Sequence, residues 1–330
     1  MERTTIRDVA LEAELSIATV SRVINNIGTV SEENRNKVLA AIKRTNYYSN
    51  ITASNLKRNS SNLIGVIIPN VTNDYFMQII KGLEDTFDNQ NRVLYIISSN
   101  DNPVNERNIL KRFLENSVEA VILATTGGND LFIEELVALG LKIILIDRQV
   151  NSASNINFVG EENFQNAYQL TKTFLEKITQ PIVVMGGLKN LSVGRDRLTG
   201  TISALKKKKE IYDLLDGKYT EDGGEIIFRE LIDRFPKGCN IISLNNAMTS
   251  GIIKVLYEEL HEQQRMLYKI ASYGEIQFQT LFQDIILCHV HQEPRRIGVE
   301  AAKLVLKMNE KKYYDNQTRL ILKTVIQGGV

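Results

Sequence analysis

From residue 63 to residue 290 the chain repeats one pattern: a short run of Ile, Val and Leu, a polar turn, and then a longer amphipathic stretch. The runs are LIGVIIP (63–69), RVLYIISS (92–99), AVILAT (120–125), KIILIDR (142–148), INFVG (156–160), PIVVMGG (181–187), CNIISLN (239–245), YKIASYG (268–274) and IILCHV (285–290). Continuous apolar strands alternating with helical segments require parallel sheets covered on both faces. Nine such strands exceed one comfortable doubly wound sheet, so two α/β subdomains are expected.

The 330 residues are 43% hydrophobic and 24% charged, the composition of a packed globule, which excludes disordered, collagen-like and coiled-coil classes. Two cysteines, Cys239 and Cys288, are too few for a disulfide framework, and the natural compartment is a reducing one. No apolar segment follows the N-terminal charges and none reaches the roughly 18 residues of a membrane span. A cytoplasmic protein with no membrane partner is expected. The net charge of +1 conceals an asymmetry: residues 1–62 hold nine Lys or Arg against six acids, a net +3, while the remaining 31 bases and 33 acids give −2. That excess permits a DNA-binding head without requiring one.

Three short helices are expected in this head. Thr5 caps one with Ile6, Val9, Ala10 and Ala13 inward, Ser16 caps a second with Val20, Val23 and Ile24 inward, and Ser31 caps a third with Val38, Leu39 and Ile42 on its buried face. The outer face of the second carries Ile17, Ala18, Thr19, Ser21, Arg22 and Asn25. Short polar or methyl-bearing side chains approach base edges closely, and an arginine can fork guanine. The same pattern also fits a helical hairpin with a solvated polar face.

The run TIRDVALEAELSIATVSRVINN, residues 5–26, closely resembles the headpiece of the LacI/GalR family of bacterial repressors. The resemblance implies that Ile17, Ala18 and Arg22 read bases and that Thr5, Ser16, Thr19, Ser21 and Asn25 hold phosphates. Glu14 departs from the family, which usually has glycine in that turn. The Ser- and Asn-rich stretch 49–62 looks like a linker. In the resembled family it is a hinge helix formed on operator DNA, with a leucine wedged into the central base step from the minor groove; Leu56 takes that position here, with Ala53 three residues before it.

Ligands of parallel sheets bind outside the carboxyl ends of the strands. Those loops carry Asn73, Tyr75 and Phe76 after the first run, Asp147 and Arg148 after the fourth, and Arg195 and Arg197 at the start of a later helix. Each arginine taken alone reads as a surface ion pair; their shared placement points to a ligand carrying hydroxyls or a carboxylate. The family resemblance extends here through GLEDTF, RLTG, NNAMTSG and QEPRRIGVEAAKLVL. It implies a periplasmic-binding-protein-like core with an effector between two subdomains, and Arg148, Arg197 and position 246 match effector contacts. Asn246 replaces a usual aspartate, and Gly274 and Glu275 stand where two aspartates are frequent. Loss of a carboxylate beside two arginines predicts a sugar acid above a neutral sugar.

The expected organisation is therefore an all-α helix-turn-helix headpiece (1–48), a hinge (49–62), and an α/β core (63–330) of two doubly wound parallel-sheet subdomains, about 63–160 with 292–320 and about 161–291 with 321–330. The function it implies is a homodimeric repressor that binds an imperfect palindrome of double-stranded operator DNA under control of a small effector. The alternative is a solute sensor without DNA function. His289 and His291 share one face of a strand, but no third ligand stands out, so no metal is expected. With no GxGxxG, P-loop, GxSxG or HExxH motif, neither a cofactor nor an enzyme is expected.

Overall fold

The computed structural model describes residues 4–24, 27–47, 62–151, 156–179, 181–308 and 317–328. They fall into two units that divide between Ser61 and Asn62. Asn25, Ala53 and Leu56 lie outside the described residues.

The first unit holds α1 (Ile6–Glu12), α2 (Ile17–Ile24) and α3 (Glu32–Thr45). Val9, Ala10, Ala13, Val20, Val23, Val38 and Ala41 form its core. The caps are local. The Asp8 carboxylate accepts from the Thr5 backbone N–H at 2.7 Å and hydroxyl at 2.8 Å, which holds its pKa down. Ser16 Oγ accepts from the Thr19 N–H at 3.1 Å, and Ser31 from Asn34. One expectation fails: Leu39 is 52% exposed, and Ala41 takes its place in the core. Val38, Ala41 and Ile42 form the i, i+3, i+4 stripe, and Leu39 sits about 100° off it around the helix.

The second unit contains two six-stranded sheets. The first joins β1 (Leu63–Ile68), β2 (Val93–Ser98), β3 (Ala120–Leu123), β4 (Ile143–Ile146), β5 (Asn157–Glu161) and β11 (Arg319–Leu322) in the order β11-β5-β4-β3-β1-β2, parallel throughout. The second joins β6 (Ile182–Gly186), β7 (Tyr212–Asp216), β8 (Asn240–Ser243), β9 (Lys269–Ser272), β10 (Ile286–His291) and β12 (Val325–Gln327) in the order β12-β10-β9-β8-β6-β7. Only β12 runs antiparallel among its pairs. Both sheets thus have the same strand order, with the reversal beside β1 and β6.

Each sheet is covered on both faces, as its apolar strands require. In the first, α4 (Asp74–Phe87) and α12 (Pro294–Met308) pack on one face, and α5 (Pro103–Glu115) and α6 (Asp130–Ala138) on the other. In the second the pairs are α7 (Asn163–Leu175) with α8 (Ser192–Lys208), and α9 (Glu221–Arg234) with α10 (Asn246–Glu259), after which comes the single turn α11 (Glu262–Arg265). α4 and α12 touch backbone to backbone: a Cβ on Gly298 would lie 2.0 Å from the Ile79 carbonyl oxygen, and one on Gly82 equally close to that of Arg295. The chain passes between the sheets three times, after Glu161, between His291 and Pro294, and between Leu322 and Val325.

Candidate nucleic-acid interface and ligand cleft

In the head, packing of Val20 and Val23 leaves Ile17, Ala18 and Arg22 exposed, with Thr19 and Ser21 half-buried beside them. Ser16 and Thr19 are joined hydroxyl to hydroxyl at 2.9 Å at the start of α2, and Thr5 is exposed at the start of α1. The N-termini of α1 and α2 thus sit next to Thr5, Ser16 and Thr19, three of the residues named for phosphate contact. The turn between the helices passes through Glu14 at φ +55°, the left-handed region that favours glycine.

In the core, all seven residues named for a ligand, Asn73, Tyr75, Phe76, Arg148, Arg197, Asn246 and Glu275, line one cleft of about 900 Å³. Its walls are the loops at the carboxyl ends of both sheets, and its size suits a small molecule. Arg195 is not among the lining residues; its guanidinium donates to Asn151 at 3.0 Å.

The polar groups of the cleft are held by hydrogen bonds within the protein. Asp147 leaves β4 at φ +59° and accepts from the Tyr75 hydroxyl at 3.0 Å. Burial and the nearby Asp147 and Glu161 push the Tyr75 pKa well up, so that hydroxyl is a donor. Arg148 donates to Asp101 at 2.7 Å and to the Thr125 carbonyl, and Asp101 was not singled out in the sequence. Arg197, on α8, donates to Asn163 at 2.7 Å and to the Leu244 carbonyl, and its guanidinium lies 3.9 Å from the Tyr273 ring centroid. Asn73 Oδ1 is engaged in capping α4.

Two further acids shape the site from behind. Glu106 is fully buried and accepts from Thr125, the Thr126 N–H and Asn129, which pins the loop after β3; burial raises its pKa against those bonds. Glu161, where the chain first leaves the first sheet, accepts from Gln292 at 2.6 Å, and Gln292 lies where it returns. Burial pushes Glu161 up to about 7, against the hydrogen bonds from Gln292 and from the Glu293 backbone. Neither the Asp101 nor the Glu161 pairing follows from spacing, since partners 47 and 131 residues apart in sequence leave no local signature.

Residues 5–50 match the model of the bacterial regulatory proteins of the lacI family, and residues 61–323 that of the periplasmic binding proteins and sugar binding domain of the LacI family. The chain is 30% identical over 311 residues to the ribose operon repressor of Bacillus subtilis, covering 93% of this chain and 92% of that protein. The chain belongs to the LacI family.

It is 31% identical to the catabolite control protein A of Staphylococcus aureus over 264 residues, 75% of this chain and 78% of that one. A crystal structure of the lac repressor dimer bound to operator and an anti-inducer shares the fold, with a TM-score of 0.81 at 19% identity over 98% of each chain. The protein is accordingly a DNA-binding regulator of LacI type. Among the described residues no helix is long and apolar enough to cross a membrane.

Within the LacI family the departures acquire structural reasons. Glu14 is the left-handed residue of the helix-turn-helix turn, so glycine is the residue that this turn favours. Gly274 stands at φ +95°, where a Cβ would lie 2.7 Å from Gln292 Oε1. The loop has therefore adopted a path that an aspartate could follow only with strain. The expectation of no third ligand beside His289 and His291 also needs correcting, because the Glu275 carboxylate lies against both rings.

Proposed function

We propose that the protein is a homodimeric repressor in which α2 of each head reads half of an imperfect palindrome, and that a small neutral carbohydrate in the cleft sets its DNA affinity. The observation that carries the DNA half is the outward set Ile17, Ala18 and Arg22 on a helix packed through Val20 and Val23. Leu56, outside the described residues, is assigned the minor-groove wedge.

The choice of a neutral sugar replaces the sugar acid expected above and rests on charge. The cleft is lined by five carboxylates, Asp74, Asp101, Asp147, Glu221 and Glu275, against Arg148, Arg197 and Lys254. Arg148 is already met by Asp101, and Lys254 by Glu225 at 2.7 Å. An added carboxylate would enter a field that is negative on balance, whereas hydroxyls can use the Asp147, Asn246 and Arg197 groups and a ring face can lie on Tyr75 or Phe76. The ribose operon repressors among the relatives fit that class. A ligand can change DNA affinity only through its different affinity for two core arrangements.

The sheet edges support a second copy. β2 and β7 each end a sheet, and Val93, Tyr95 and Leu214 on them, with Ile211 just before β7, are exposed. Such apolar edges pair or are covered. Light scattering is expected to give the mass of two chains.

Calorimetry with neutral pentoses and hexoses against uronates tests the ligand, and fluorescence anisotropy with duplexes from the chain's own upstream region tests the DNA. Binding of a neutral sugar that Arg197→Ala weakens, with indifference to uronates, is expected; preference for a uronate would reverse the charge argument. Arg22→Ala should cost about 1–3 kcal/mol on the best duplex while hardly changing non-specific binding. Failure to hold any palindromic duplex at low salt would overturn the reading.

A further inference from the structure

The geometry points to a divalent transition-metal site of the zinc class at the rim of the cleft, built from His289, His291 and Glu275. The site does not depend on the effector reading or on DNA binding. His289 Nε2 lies 3.2 Å from Glu275 Oε1, and His291 Nδ1 lies 2.9 Å from the same oxygen. All three donor atoms fall within 4.8 Å of one another. Around an ion held at roughly 2.0–2.1 Å, tetrahedral ligands stand about 3.3 Å apart, so the two separations from Glu275 need only small adjustment. Two imidazoles and a carboxylate are a donor set that suits zinc, nickel or cobalt(II) rather than magnesium or calcium.

The donors are held in place by the sheet. His289 and His291 are two apart on β10, so they share a face, and β10 is paired on both sides. Glu275 stands three residues after the end of β9, and Ser272 Oγ donates to the Gly274 carbonyl at 2.7 Å just before it. All three ligands therefore belong to adjacent segments of one sheet, and the ion would be held at any angle between the two subdomains. With three protein ligands a fourth position is left for water, the pattern of an open zinc site. Glu275 and His291 share their pocket with Asn246 and Gln292, which places the open position beside the ligand cleft.

The test is zinc titration of the tag-free full chain by calorimetry, with cobalt(II) absorption as a second readout. One ion per chain at micromolar or tighter affinity is expected, with a zinc-dependent rise in Tm. Binding should fall at least tenfold in His291→Ala and in Glu275→Gln, and further in His289→Ala. If His289→Ala does not fold, the other two variants decide, because both residues are partly exposed at the rim. No binding at micromolar zinc, or binding that neither variant weakens, overturns the site. Binding at the third histidine, His261, would show itself by surviving in all three variants.

Discussion

The turn at Glu14 concentrates a conflict in one residue. An L-residue at φ +55° carries strain that glycine does not, and here the side chain also brings a negative charge into a head that approaches phosphates. Glu14→Gly is expected to stabilise the head by roughly 0.5–1 kcal/mol, the strain relieved less the entropy glycine adds to the unfolded chain. It should also tighten binding to any duplex and do so most at low salt. Calorimetric melting and anisotropy check both; a lower head Tm would refute the strain argument. The caps at Thr5, Ser16 and Ser31 and the inward Val9, Val20 and Val38 were legible from the residues, because capping and helical spacing are local. Leu39 was not, since a helix with apolar residues at 38, 39 and 42 has two stripes open to it, and only the neighbouring helices choose between them.

The elements that the runs of Ile, Val and Leu announced are the inner strands and one edge strand, β2, whose VLYIIS is apolar enough to show although Val93 and Tyr95 are exposed. β7, β11 and β12 escaped because they sit at or beside sheet edges, where YDLLD and RLIL can carry polar or exposed positions without cost. The helix pairs have their own constraint. At the crossing of α4 and α12, the Gly82 and Gly298 backbones meet the opposite helix with no room for a methyl group. Gly298→Ala should push the helices apart and cost roughly 1–3 kcal/mol by overpacking, read as a lower denaturation midpoint with an unchanged denaturant slope. An unaltered midpoint would mean that the crossing yields freely. The cleft residues stand at strand ends, which the alternation of apolar runs marks in the sequence; Asp101, Gln292 and Glu161 come from other elements, and only the assembled sheets bring them together.

At the scale of the whole molecule, Glu161 and Gln292 join two of the three passages between the sheets. The Glu161 pKa of about 7 stands above the ordinary 4.5, so folding favours its protonated form. The stability this group contributes is complete below pH 4.5 and is lost as pH rises through 7. The wild-type chain should therefore lose up to about 3 kcal/mol relative to Glu161→Gln between pH 4.5 and 8. Tm profiles of the two proteins in parallel measure the difference, and superimposable profiles would remove Glu161 from that role. The three passages have a further effect, on the order in which the protein can be made. α12, β11 and β12 leave the ribosome after every other element described, yet α12 supplies Ile297, Ala301 and Val305 to the core of the first sheet, and β11 and β12 complete one sheet each. Neither half can finish its core while the other is being synthesised, so the core is committed late, as one unit, while the helical head of fewer than 50 residues closes on local contacts long before.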